Sequence, residues 1–204
     1  MQDQVFTIGH STLSIESFVG ALRQHGVTAV ADVRSAPYSR FNPQFNRESV
    51  ADALRQAGIK YVFLGHELGA RSKDRSCYEN GRVQYRSLAR TSTFQEGIDR
   101  VVRGAHEYRI ALMCAEKEPL ECHRTLLVAH VLAERGVTIQ HILSDGRVEP
   151  HEATMQRLLD AVHLPHEDLF RSNQELIAEA LVRQEERIAY VDEEFAADAA
   201  NRSG

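Results

Sequence analysis

Short apolar runs alternate along this chain with amphipathic stretches of helical length, and that alternation restricts the fold more than any other feature. Val5-Phe-Thr-Ile-Gly9 precedes Ile15, Phe18, Val19 and Leu22 at helical spacing. The β-branched run at 27–33 precedes Val50, Leu54 and Ala57, a stripe closed by Gly58. Tyr61-Val-Phe-Leu-Gly65 is a third run, Ile110 to Cys114 a fourth, and Val137 to Leu143 a fifth. Ser92 and Gln95 form a capping box for a helix bearing Phe94, Ile98, Val101 and Val102. A further helix spans 122–136 up to Gly136, and Pro150 opens one reaching about Val162. Single helices between strands impose parallel crossovers, with helices on both faces of the sheet. The expected fold is α/β: a mainly parallel five-stranded sheet in a doubly wound three-layer sandwich, with an appended C-terminal helix.

The 204 residues are 43% hydrophobic, enough for one core. We expect an α/β domain over 1–162, then a linker at His163-Leu-Pro-His166, an amphipathic helix and a frayed tail to 204. Ser172 and Glu175 cap that helix, and Ile177, Leu181, Ile188 and Val191 form a stripe that needs a partner surface. Its own sheet layer and a second copy of the chain both fit, so monomer and homodimer stay open; intrachain packing is preferred.

Three cysteines form neither a disulfide framework nor a CxxC pair, which suits reduced thiols. No apolar run approaches about 18 residues, and Met1-Gln-Asp-Gln carries no basic leader. A cytoplasmic protein without a membrane span is expected. The net charge of −5 argues against a general nucleic-acid binder. Residues 34–109 nevertheless hold 14 Lys/Arg against 8 Asp/Glu, while 143–204 hold 6 against 14. A basic middle suits an anionic ligand, or is ordinary surface charge.

Chemistry concentrates where the fourth run meets its helix. Cys114, Cys122, His123 and Arg124 flank one strand-to-helix turn, a position at which open α/β sheets bind ligands. A helix start beside His123 and Arg124 favours the thiolate of Cys122. The thiols can be nucleophiles, metal ligands or packing residues. Zinc wants three or four ligands, and only Cys114, Cys122 and His123 cluster here, so a metal is possible but not favoured and the cofactor stays unknown. The second run ends Asp32-Val-Arg34-Ser35-Ala-Pro37-Tyr-Ser39-Arg40. Period-two alternation puts Asp32 and Arg34 on one face, and two prolines stiffen a loop presenting Ser39 and Arg40 as an anion clamp. His10 and Ser11, after Gly9, offer a proton carrier and a hydroxyl. Gly65-His-Glu-Leu-Gly69-Ala-Arg71 opens the longer of two extended connections, 34–47 and 66–91, and suits either a ligand wrap or a plain turn.

Together, Thr7-Ile-Gly-His-Ser11, the Asp32 to Arg40 segment, Leu64-Gly65 to Leu68-Gly69, Leu112-Met-Cys114-Ala-Glu116 and Cys122-His-Arg124 resemble the bacterial and archaeal domain of unknown function 488 family over about residues 5–145. The resemblance implies a compact α/β domain with an arginine-, cysteine- and histidine-bearing pocket, to which Glu116 belongs, and no established reaction. Ala70 stands where a second glycine is expected.

The expected function is an enzyme that binds a small phosphorylated or nucleotide-like anion for group transfer or hydrolysis. Arg34, Arg40 and Arg124 would hold the anion, assisted by Ser11, Ser39 and Glu116. Cys114 or Cys122 would be the nucleophile, His10 or His123 the proton carrier, and Asp32 a base or an orienting group. The rival is a non-catalytic module for nucleic acid or a protein; the lack of an aromatic-rich basic stripe weighs against nucleic acid.

Overall fold

The computed structural model describes residues 3–202, with side chains through 198. In chain order the elements are β1 (Gln4–Gly9), α1 (Ile15–Gln24), β2 (Ala29–Asp32), α2 (Arg47–Gln56), β3 (Lys60–Phe63) and α3 (Gly65–Leu68). A hairpin follows, β4 (Tyr78–Glu79) and β5 (Arg82–Val83), then α4 (Tyr85–Ala89), α5 (Ser92–Ala105) and β6 (Ile110–Cys114). A π-helical stretch, Arg124–Ala129, runs into α6 (His130–Glu134). β7 (Thr138–Ile142), β8 (Val148–Pro150), α7 (His151–Ala161), α8 (Asn173–Ile188) and α9 (Glu193–Arg202) complete the chain.

The main sheet has the order β3-β2-β6-β1-β7-β8. The five expected strands all run parallel, and β8 adds an antiparallel edge by folding back on β7. Alternating side chains divide the core. Phe6, Ile8, Val30, Ala111 and Met113 meet Phe18, Leu22, Val50 and Leu54 of α1 and α2. Val5, Ala31, Leu112 and Ile139 meet the helices of the opposite face, among them Ile98, Leu132, Leu158 and Leu176. Helices therefore cover both faces, as a sheet buried on both sides requires.

Several boundaries differ from the sequence reading. The 66–91 connection is not a bare loop: it contains α3, the β4–β5 hairpin and α4, all too short to show periodicity. The cap of α5 is Thr91, whose hydroxyl accepts from the Phe94 N–H, so the Ser92–Gln95 box does not form. The capping box of α8 does form at Ser172 and Glu175.

The stripe of α8 lies on its own chain. Leu176 and Ala180 are buried, and Ile177, Leu181 and Ile188 pack against the same core. Val191 departs from it: it is 42% exposed and bridges Arg82 beside the hairpin. Its neighbour Tyr190 accepts from the Val83 N–H at 3.0 Å, so the segment after α8 continues the hairpin.

On the α8 side of the sheet, Thr7 Oγ1 meets His141 Nδ1 at 2.8 Å, and His141 Nε2 meets His151 Nδ1 at 3.0 Å. Burial holds both imidazoles below the usual histidine range, His151 at about 4. Among the described residues no helix is long and apolar enough to cross a membrane.

Candidate functional site

The parallel register brings the carboxyl ends of β1, β2 and β6 side by side, with β6 between the other two. The chain leaving β1 stays on its neighbour: the His10 and Ser11 N–H groups donate to the Cys114 and Ala115 carbonyls, both at 2.9 Å. Any Cβ at Gly9 would overlap the Glu116 carbonyl, so this approach requires glycine. Gly65 has the same function against the Arg34 carbonyl. The glycine-containing turn after β3 thus supports the site strand.

Asp32 is fully buried at the end of β2 and takes both prongs of Arg34, Nε at 2.9 Å and Nη2 at 2.6 Å. The Tyr61 hydroxyl donates to the same carboxylate at 2.8 Å. Arg34 Nη1 lies 3.1 Å from His10 Nε2, whose other nitrogen, Nδ1, faces the Ser11 carbonyl at 2.9 Å. A donating guanidinium fixes His10 Nε2 as the acceptor and Nδ1 as the protonated nitrogen. Burial, aided by the Arg34 charge, lowers the His10 pKa to about 4, and its ring stacks on Phe45 with centroids 4.2 Å apart. Burial opposes the Arg34 charge, but the Asp32 pairing outweighs it and raises the guanidinium pKa. Three of the five guanidinium N–H groups are occupied, so two remain for a ligand.

Beyond β6, Cys114 Sγ lies 3.7 Å from His123 Nδ1, and His123 Nε2 donates to the Val33 carbonyl at 3.0 Å. Cys122 Sγ lies 2.9 Å from Glu116 Oε2. Burial pushes the Cys114 thiol far up. It pushes Cys122 up as well, but the Cys114 hydrogen bond, the Arg124 charge and His123 together bring that thiol well below its usual range. Burial lowers His123, yet its pairing with Cys122 prevails and raises it. Enclosure at the site and the adjacent Cys122 raise the Glu116 carboxyl. Two thiols, an imidazole and a carboxylate thus share one small volume.

A cavity of about 240 Å³ opens over this group. Of the expected residues, Arg34, Cys114, Glu116 and His123 line it. Cys122 lies directly behind, in contact with Glu116. His10 and Asp32 reach it through Arg34.

Four residues read as ligand contacts are placed elsewhere. Arg124 is fully buried; its Nη1 and Nη2 donate to the Glu116 and Lys117 carbonyls, so it supports the loop from beneath. Ser39 caps its own turn, accepting from the Phe41 and Asn42 N–H groups. Arg40 is exposed, with its guanidinium over the Phe41 ring. The Arg47 N–H to Pro37 carbonyl bond closes this loop on itself and carries Ser39 and Arg40 away from the cavity. Ser11 turns through a left-handed φ of 46°, and its carbonyl engages His10. The three expected arginines therefore do not converge.

Arg71 joins Arg34 instead. Its N–H donates to Ser35 Oγ at 3.0 Å and its guanidinium lies over the Tyr190 ring. Tyr85, Glu121, Ile188 and Tyr190 also line the cavity. Arg71 was accessible to sequence reasoning as the charged end of the Gly65–Arg71 segment. Tyr190 and Ile188 were not, because only the fold brings the end of α8 to this edge of the sheet.

No curated protein and no solved structure matches the chain. One family does: Domain of unknown function DUF488 matches residues 14–131, more than half of the chain. The match includes Asp32, Arg34, Cys114, Glu116, Cys122 and His123, while His10 and Ser11 precede it. By this match over residues 14–131, this chain belongs to the DUF488 family.

Proposed function

We propose that this protein is an enzyme acting by group transfer or hydrolysis on a small phosphorylated or carboxylated ligand held in the cavity at the carboxyl edge of its sheet. One observation carries the reading: Arg34 and Arg71 border the same cavity as Cys114, Glu116 and His123. Arg34, oriented by Asp32, presents two remaining N–H groups, and the exposed Arg71 adds a second fork. The cluster of thiol, imidazole and carboxylate beneath would supply the chemistry, directly or through an ion it holds. At about 240 Å³ the cavity is below the roughly 300–1,000 Å³ typical of drug-sized ligands, which favours a single phosphorylated group over a dinucleotide.

Calorimetric titration with inorganic phosphate, pyrophosphate and a nucleoside monophosphate tests this. The expected result is saturable binding, weakened at least about tenfold by Arg71→Ala, a loss of about 1.4 kcal/mol. Equal affinity in the wild type and the variant would overturn the reading. Binding to DNA or RNA that collapses with salt, with no small-anion binding, would replace it with the nucleic-acid module.

A further inference from the structure

We propose that Cys114, Glu116, Cys122 and His123 bind one zinc ion at the floor of the cavity. One ligand atom from each of the four lies within 4.8 Å of all the others. At zinc bond lengths of about 2.0–2.3 Å, tetrahedral ligand atoms sit roughly 3.3–3.8 Å apart. The Cys114 Sγ to His123 Nδ1 distance of 3.7 Å already falls in that interval. The 2.9 Å between Cys122 Sγ and Glu116 Oε2 needs only a small rotation outward.

Ring orientation is the second argument. His123 donates Nε2–H to the Val33 carbonyl, which leaves the Nδ1 lone pair facing the thiols. Metal-bound histidines are held this way, their second nitrogen fixed by a carbonyl or carboxylate. Sulfur and imidazole donors select zinc over magnesium or calcium, which take oxygen. Charge supplies the third argument. Fully buried Arg124 bonds only carbonyl oxygens and forms no ion pair among the described residues, while its Nε has no partner. Glu116 and Arg124 offset one another, so two thiolates and one divalent ion leave the occupied cluster without net charge.

Cys114, Glu116 and His123 face the cavity, whereas Cys122 anchors from behind. Glu116 is the most exposed of the four, and so the ligand that yields when an anion or water approaches the ion. This deepens the pocket reading, and only this last step rests on it.

The test is metal analysis of the full chain, purified without chelator. About one zinc per chain is expected, with loss of bound zinc in Cys114→Ser and Cys122→Ser and full occupancy in Cys77→Ser, since Cys77 is buried outside the cluster. If the site variants fail to fold, cobalt decides on the wild type. Cobalt(II) added to chelator-treated wild type should give a thiolate-to-cobalt charge-transfer band and the intense visible bands of a tetrahedral ion. A folded wild type without zinc and without that band overturns the site, as does zinc retained in both site variants. Zinc bound without any phosphate affinity would overturn the pocket reading and leave the metal site standing.

Discussion

A buried carboxylate such as Asp32 is stable only while its partners stay in place. Three bonds from Arg34, its backbone N–H included, and one from Tyr61 saturate it at zero exposure. Arg34→Leu should therefore lower stability by about 3–5 kcal/mol, and the Asp32→Asn/Arg34→Leu pair by much less than the sum of the single changes. Urea denaturation of the four proteins checks this; additive effects would count against a coupled pair. Gly9→Ala should lose about 3 kcal/mol by the same measurement, because the added methyl would overlap the Glu116 carbonyl of a loop held from beneath by Arg124. That Asp32 and Arg34 share a face was legible in the sequence because alternation in a strand is a strict period; that they pair with each other was not. Arg124 was misread because the sequence shows a charged residue at a helix start and not which way the first turn points it. The π-helical stretch, invisible to any 3.6-residue pattern, buries that side chain.

Elements were legible in proportion to their length and chemical contrast. The parallel strands announced themselves as β-branched or apolar runs between helical stripes, whereas β4, β5 and β8 have two or three residues each and no pattern to read. For α8 the apolar face was readable but its angular centre was not. The stripe of Ile177, Leu181 and Ile188 is only partly buried, while Leu176, Ala180 and Gln184 face inward. Gln184 is the informative member, since its side-chain amide donates to the Leu120 carbonyl at 2.9 Å and ties the helix to the turn before Cys122. Leu176→Ala should lower stability by about 2–5 kcal/mol without changing the mass seen by light scattering. A concentration-dependent loss of mass would assign that face to a second copy.

For the whole molecule, acid is the sharpest perturbant. His10 and His151 are held at about 4, and His141 well below 6.5, all through burial. In the unfolded chain each would titrate near 6.5, so between about pH 6.5 and 4 the unfolded state binds more protons. Stability should be fully present above about pH 6.5 and fall as the pH drops toward 4, by on the order of 3 kcal/mol for His151 alone. Denaturant midpoints across that range test it, and His151→Asn should flatten the decline. A midpoint independent of pH would mean that the imidazoles titrate in the folded chain as they do in the unfolded one.

The far wall of the cavity has a consequence for how the protein is made. Cys114, Glu116 and His123 precede Ile188 and Tyr190, which face them, by roughly 65–75 residues. At about 5–20 residues per second a ribosome takes several seconds to cover that gap. The strands carrying the thiols can pair before the wall exists, so a nascent chain carries its thiol cluster with one side of the cavity open. Enclosure comes last, when α8 docks and Tyr190 takes its place on the hairpin.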